Sequence, residues 1–255
     1  MGKSVSSHQQ GLGWLADWPV LKSALDCEAR AMVVLLSSGK TRDMNGTTPD
    51  AWLMRALTEA LAVHGVVCIN PRLPLREDGL TNTDEALIAL RTDLASKALL
   101  EEHTRPVAVL AISLGTQSAL ALAAQRHTAS QIDALFLISG VIENPVAPVG
   151  RIRSVDLIYG GRDHVGYLGQ DGETLRDIEG PREYGPRSRN NLVTGPSTLS
   201  ALHILAGAGH GLEMAGSIGP NHREAVALLL PIVLHRLGLA TPPDSEARNT
   251  EEIRL

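Results

Sequence analysis

The chain has 255 residues, 44% of them hydrophobic and only 3% aromatic, with a formal net charge of −5 at pH 7. That length and apolar content fit one large domain with a core of Ala, Leu, Val and Ile. The acidic balance, with no Lys/Arg run, argues against a nucleic-acid partner, and no stretch approaches the ~18 uninterrupted apolar residues of a membrane span.

Residues 1–30 read as an N-terminal segment, polar as far as Gly13, with a helix expected over 14–29 around Leu15, Leu21 and Leu25. Asp17 and Pro19 interrupt its apolar residues, which is not a secretory signal, and the expected location is the cytoplasm. Cys27 and Cys68 make no disulfide framework.

The run AMVVLL at 31–36 is a buried strand. It is followed by Ser37-Ser38-Gly39-Lys40-Thr41, which looks like the end of a phosphate-binding loop. That motif needs a glycine where this chain has Val34, inside the strand, so the nucleotide reading is set aside. Thr48 as N-cap and Pro49 in the first turn start a helix with Leu53, Leu57 and Leu61 on one face, and Gly65 ends it. A strand over 66–69, a polar loop to 83 and a helix over 84–102 with Leu87, Leu90 and Leu94 inward come next.

The apolar run 106–112 then meets Ser113, and an Ala/Leu-rich helical run comes after it. Further strands are expected at 132–139, 155–159 and 202–206, and a last helix over 221–237. Residues 165–198 are rich in Gly, Arg, Asp and Glu and are expected to be a small cap or a mobile loop. The tail 241–255 is polar and expected to be disordered. Strands alternating with helices imply an α/β fold: a mainly parallel central sheet over 31–240 with helices on both faces.

Ligand sites in such sheets lie at the carboxyl ends of the strands. Four loops there carry suggestive residues: Ser38-Gly39-Lys40, Ser113, Asp163 and His210. A serine on a sharp strand-to-helix turn needs small residues two positions either side, and Ala111 and Gly115 supply them. A serine hydroxyl needs a base to take its proton, and His210 is the candidate. Asp163 would hold the imidazole in the right tautomer. Glu143, after the preceding strand, is the fallback acid. The residues call for no metal and no cofactor.

The Ala-Ile-Ser113-Leu-Gly turn, Gly-Gly-Arg-Asp163-His and Gly-Ala-Gly-His210-Gly together resemble the α/β-hydrolase superfamily over about residues 31–237. Residues 38–45, with the helix and strand after them, are similar to its small dienelactone-hydrolase-like branch, near the NSL-complex-subunit-like proteins. That branch reads His-Gly where this chain has Ser38-Gly39. By analogy, the backbone N–H groups of Leu114 and of Lys40 (Gly39 if the register slips by one) would bind an oxyanion. The resemblance implies an esterase or thioesterase acting on a small acyl substrate, free or carried on a protein. Transfer of the acyl group to an acceptor other than water, and a non-catalytic binding protein on the same fold, remain open alternatives.

Overall fold

The structure, a computed structural model, describes residues 12–15, 18–23, 28–75, 85–101, 106–148, 152–164, 179–194, 198–214, 222–240 and 250–252. Its strands are β1 (Leu12–Leu15), β2 (Trp18–Ser23), β3 (Ala31–Leu36), β4 (Val66–Pro71), β5 (Val107–Ile112), β6 (Ala134–Ile138), β7 (Ser154–Gly160), β8 (Leu199–Leu205) and β9 (Thr250–Glu252). The helices are α1 (Pro49–Ala62), α2 (Glu85–Glu101), α3 (Gly115–Ala124), α4 (Arg126–Ala129), α5 (Pro181–Asn191) and α6 (Arg223–Arg236). All the strands join one sheet in the order β1-β2-β4-β3-β5-β6-β7-β8-β9. Neighbours from β4 through β8 run parallel, while β1, β2 and β9 pair antiparallel at the edges.

The parallel strands are continuous apolar runs because both their faces are covered. Met32, Val34 and Leu36 of β3 pack with residues of α2, α3 and α5. Ala31, Val33 and Leu35 pack with residues of α1 and α6 on the other face. Period-two alternation thus sends successive side chains of one strand into two cores. Burial pushes the Cys68 thiol in β4 up to about 12. Among the described residues no helix is long and apolar enough to cross a membrane.

The chain departs from the sequence expectations in four places. The helix expected over 14–29 is instead the β1–β2 hairpin, with Val20 opposite Pro71 and Lys22 opposite Ile69 on β4. The open edge of β4 offers unpaired N–H and C=O groups, and these override a weak local helical pattern. The same argument applies to the tail, where 250–252 pair with the open edge of β8; residues 241–249 lie outside the described residues.

Within the expected excursion, 181–191 form α5, the crossover helix between β7 and β8, with Pro181 in its first turn. Tyr184 is fully buried there and meets the Tyr159 ring edge-on, with centroids 5.0 Å apart. Residues 165–178 and 195–197 lie outside the described residues. Finally, α2 is rotated from its expected facing: Leu90 is exposed, and Arg91 is buried in its place.

The strand order reverses direction around β3, which lies between β4 and β5. Ligand sites of such sheets lie at the carboxyl ends of the strands around that point. The β3–α1 loop and Ser113 follow the carboxyl ends of β3 and β5 there.

Candidate active site

Only two residues, Ser113 and Leu114, separate β5 from α3. So short a connection forces Ser113 to φ +52°, a left-handed backbone that costs an L-residue about 1–2 kcal/mol. Surrounding bonds hold it there. Ser113 N–H donates to the Ile138 carbonyl at 2.7 Å, and its own carbonyl accepts from Thr116 N–H at 2.9 Å and Thr116 Oγ1 at 2.6 Å. Gly115 is required by close approach: a Cβ there would lie 2.5 Å from the Leu36 carbonyl oxygen and 2.9 Å from that of Ser37. The Ser113 side chain is half-buried, and Leu114 N–H, ahead of the α3 N-terminus, has no acceptor among the described residues.

Asp163 follows β7 and His210 follows β8, and the two side chains meet. Asp163 Oδ1 lies 2.9 Å from His210 Nδ1. The carboxylate is buried, whereas the imidazole is 48% exposed. Backbone contacts fix the two turns together: Gly161 N–H donates to Leu205 O and Arg162 N–H to Ala208 O, each at 2.8 Å. A Cβ on Gly160 would overlap the Gly209 carbonyl.

A third tie comes from just past the end of β6, where Ser139, also left-handed at φ +51°, donates its Oγ–H to the His210 carbonyl at 2.6 Å. Glu213 closes the histidine loop. Its carbonyl accepts from Gly209 N–H and its Oε2 from Gly211 N–H, both at 2.8 Å. Partial burial pulls the His210 pKa down. The hydrogen bond and charge of Asp163, with the charges of Glu213 and Asp50, outweigh it and hold His210 above its ordinary value. A cavity of about 510 Å³ opens on this side, lined by Arg162, Asp163, His164, His210, Glu213 and Met214.

The β3–α1 loop is locked by a polar network around buried Asp50. Asp50 accepts from Ser38 N–H at 3.2 Å and from Thr41 Oγ1 at 2.7 Å. Lys40 N–H, expected to face an oxyanion, donates to Ser38 Oγ at 3.2 Å. Gly39 N–H has no acceptor among the described residues. Thr41 is buried on Asp50 rather than presented to a phosphate.

Glu143, the fallback acid, is exposed, and its carbonyl accepts from Asn191; His210 is paired with Asp163 instead. His203 is a core histidine bonded to Asp156 at 2.9 Å. Among the described residues, no group of three or more His, Cys, Asp or Glu is arranged to hold a metal ion.

Sequence reasoning missed Asp50, Arg91, Ser139 and Glu213. Asp50 was signalled by Thr48-Pro49-Asp50, a capped helix start, and Ser139 by its place before a glycine at a strand end. Arg91 and Glu213 left no local signal.

No protein-family model and no curated protein matches the chain. Solved structures do. A dienelactone hydrolase from Anabaena variabilis is 19% identical, with a TM-score of 0.57, over 90% of this chain and 99% of that one. Esterase 2 from Thermogutta terrifontis is 16% identical, with a TM-score of 0.58, over 92% and 98%. Est1E from Butyrivibrio proteoclasticus, solved with ferulic acid bound, is 13% identical, with a TM-score of 0.55, over 86% and 97%. This chain therefore has the α/β-hydrolase fold.

Proposed function

We propose that the chain is a serine hydrolase that cleaves a carboxylic ester or thioester through an acyl-Ser113 intermediate. The observation that carries this reading is the Asp163–His210 pair at 2.9 Å, at the same rim of the sheet as a serine held at φ +52°. With Nδ1–H on Asp163, the His210 ring leaves Nε2 bare to act as base.

In the proposed first step Ser113 Oγ attacks the substrate carbonyl carbon while its proton passes to His210 Nε2. The carbonyl π electrons move onto oxygen. Leu114 N–H and Gly39 N–H, both without an acceptor among the described residues, would bind that oxyanion; Lys40 N–H, engaged by Ser38 Oγ, is the less suited donor. Collapse breaks the bond to the alcohol or thiol, which leaves with the imidazolium proton. Water then repeats the sequence on the acyl-serine and frees the acid. The esterase and the dienelactone hydrolase of like fold lend the reading support by their named activities.

The test is covalent labelling. A fluorophosphonate probe added to the parent and to Ser113→Ala, read by intact mass, is expected to add one probe to the parent and none to the variant. A folded parent that takes up no probe would sink the proposal and favour a binding protein on this fold.

A further inference from the structure

Among the described residues Arg91 is the largest side chain that is fully buried, and it lies in the middle of α2. Its guanidinium donates to three backbone carbonyls: Nη1 to Pro74 at 2.9 Å, and Nη2 to Ser37 and, at 3.1 Å, to Ser38. Among the described residues no carboxylate ion-pairs with it, and Asp50 attracts it only through space. Its Nε has no partner among them either. Burial lowers its pKa to about 10, with Asp50 opposing the shift, so it stays charged at neutral pH.

A buried cation that no carboxylate of the described residues pairs is a poor way to fill a core. Leu90, one residue earlier, is left 46% exposed while the arginine turns inward. Packing alone would have favoured the leucine. The three acceptors point to another role, because they sit on the loops that leave β3 and β4 at the catalytic rim.

The Ser38–Gly39 peptide is the informative one. In a planar trans peptide the C=O and N–H point in opposite directions. Arg91 draws the Ser38 carbonyl toward α2, so the Gly39 N–H is turned the other way. That N–H has no acceptor among the described residues. A cation on the carbonyl oxygen also polarises the peptide and strengthens its N–H as a donor. The preceding peptide is gripped from both ends, its Ser37 carbonyl on Arg91 and its Ser38 N–H on Asp50. The Ser37 carbonyl also packs against Gly115 of the nucleophile turn. We infer that Arg91 is a positioning residue that aims and polarises the Gly39 N–H as an oxyanion donor, an inference that rests on the proposed acyl-Ser113 chemistry.

The test compares the parent with Arg91→Met, which keeps length and loses charge, and Arg91→Lys, which keeps charge and loses the fork. Each is assayed for p-nitrophenyl butyrate hydrolysis, fluorophosphonate labelling rate and thermal unfolding. For Arg91→Met we expect kcat and the labelling rate to fall ~10²–10³-fold, as for loss of one oxyanion donor, with KM changed less than about threefold because the ground-state carbonyl uses that donor little. Arg91→Lys is expected to lose about tenfold in both rates and still to unfold cooperatively.

If Arg91→Met does not fold, Arg91→Lys carries the test alone. Parent-like kcat and labelling in a folded variant would overturn the inference while leaving Ser113 chemistry standing. So would a loss confined to KM. A folded parent that is never labelled would remove the proposed function and this inference with it.

Discussion

Ser139 joins the end of β6 to the histidine loop, and two substitutions there separate its hydroxyl from its backbone. The residue is buried at φ +51°, and its Oγ–H donates to the His210 carbonyl at 2.6 Å. The left-handed backbone costs about 1–2 kcal/mol for any residue with a Cβ, and a buried hydrogen bond contributes about 1 kcal/mol. Ser139→Ala loses the bond and keeps the strain, so it should lower stability by about 1–2 kcal/mol. Ser139→Gly loses the same bond but relieves the strain, so it should stay within about 1 kcal/mol of the parent. For a chain of this size each kcal/mol is about 2–4 °C in Tm.

Both variants free the His210 carbonyl. Both should therefore lose a similar factor in kcat, about tenfold if the loosened loop forfeits 1.4 kcal/mol of transition-state stabilisation. Differential scanning calorimetry and steady-state ester hydrolysis read the two effects separately. A glycine variant less stable than the alanine one, or either variant with parent-like kcat, would refute the reasoning.

The charges around His210 and Asp156 set two further outcomes. As the proposed base, His210 must be neutral, and its pKa is held above the ordinary histidine value by Asp163, Glu213 and Asp50 against the pull of burial; the acid limb of kcat/KM should therefore lie above pH ~6.5. Glu213→Gln removes one of those negative charges and should move the limb to lower pH, and a limb that stays put or rises would discount Glu213. At the core, Asp156 is buried between His203 and the bidentate Arg236 guanidinium at 2.8 and 2.9 Å. Burial would raise its pKa, but the His203 bond and Arg236 outweigh it and leave it lowered. Its contribution to stability is thus present above the ordinary aspartate pKa and lost as pH falls through the lowered value. Arg236→Met should cost about 3–5 kcal/mol at neutral pH and shift acid unfolding upward, both measurable by urea titration across pH.

The sequence alone determined the parallel strands and the residues at their carboxyl ends. Runs such as VAVLAI and ALFLI are apolar on both faces because both faces are covered, and Ser113, Asp163 and His210 could be placed at strand ends from that pattern. Small residues at 111 and 115 carried the sharp turn at Ser113 for the same local, steric reason. Tertiary structure decided whatever depends on a partner distant in the chain. Residues 12–15 and 18–23 became strands because β4 had an open edge. Lys40 N–H, expected to face an oxyanion, donates to Ser38 Oγ, in a loop held by Asp50.

Arg91 makes the same point most sharply. Helical periodicity assigned the inward place to Leu90, since hydropathy counts only a side chain's own transfer free energy. Carbonyls of Ser37 and Ser38, more than fifty residues earlier in the chain, gave the guanidinium partners that water would otherwise have supplied. Burial of a charge is decided by such partners, and they meet only after the sheet has formed.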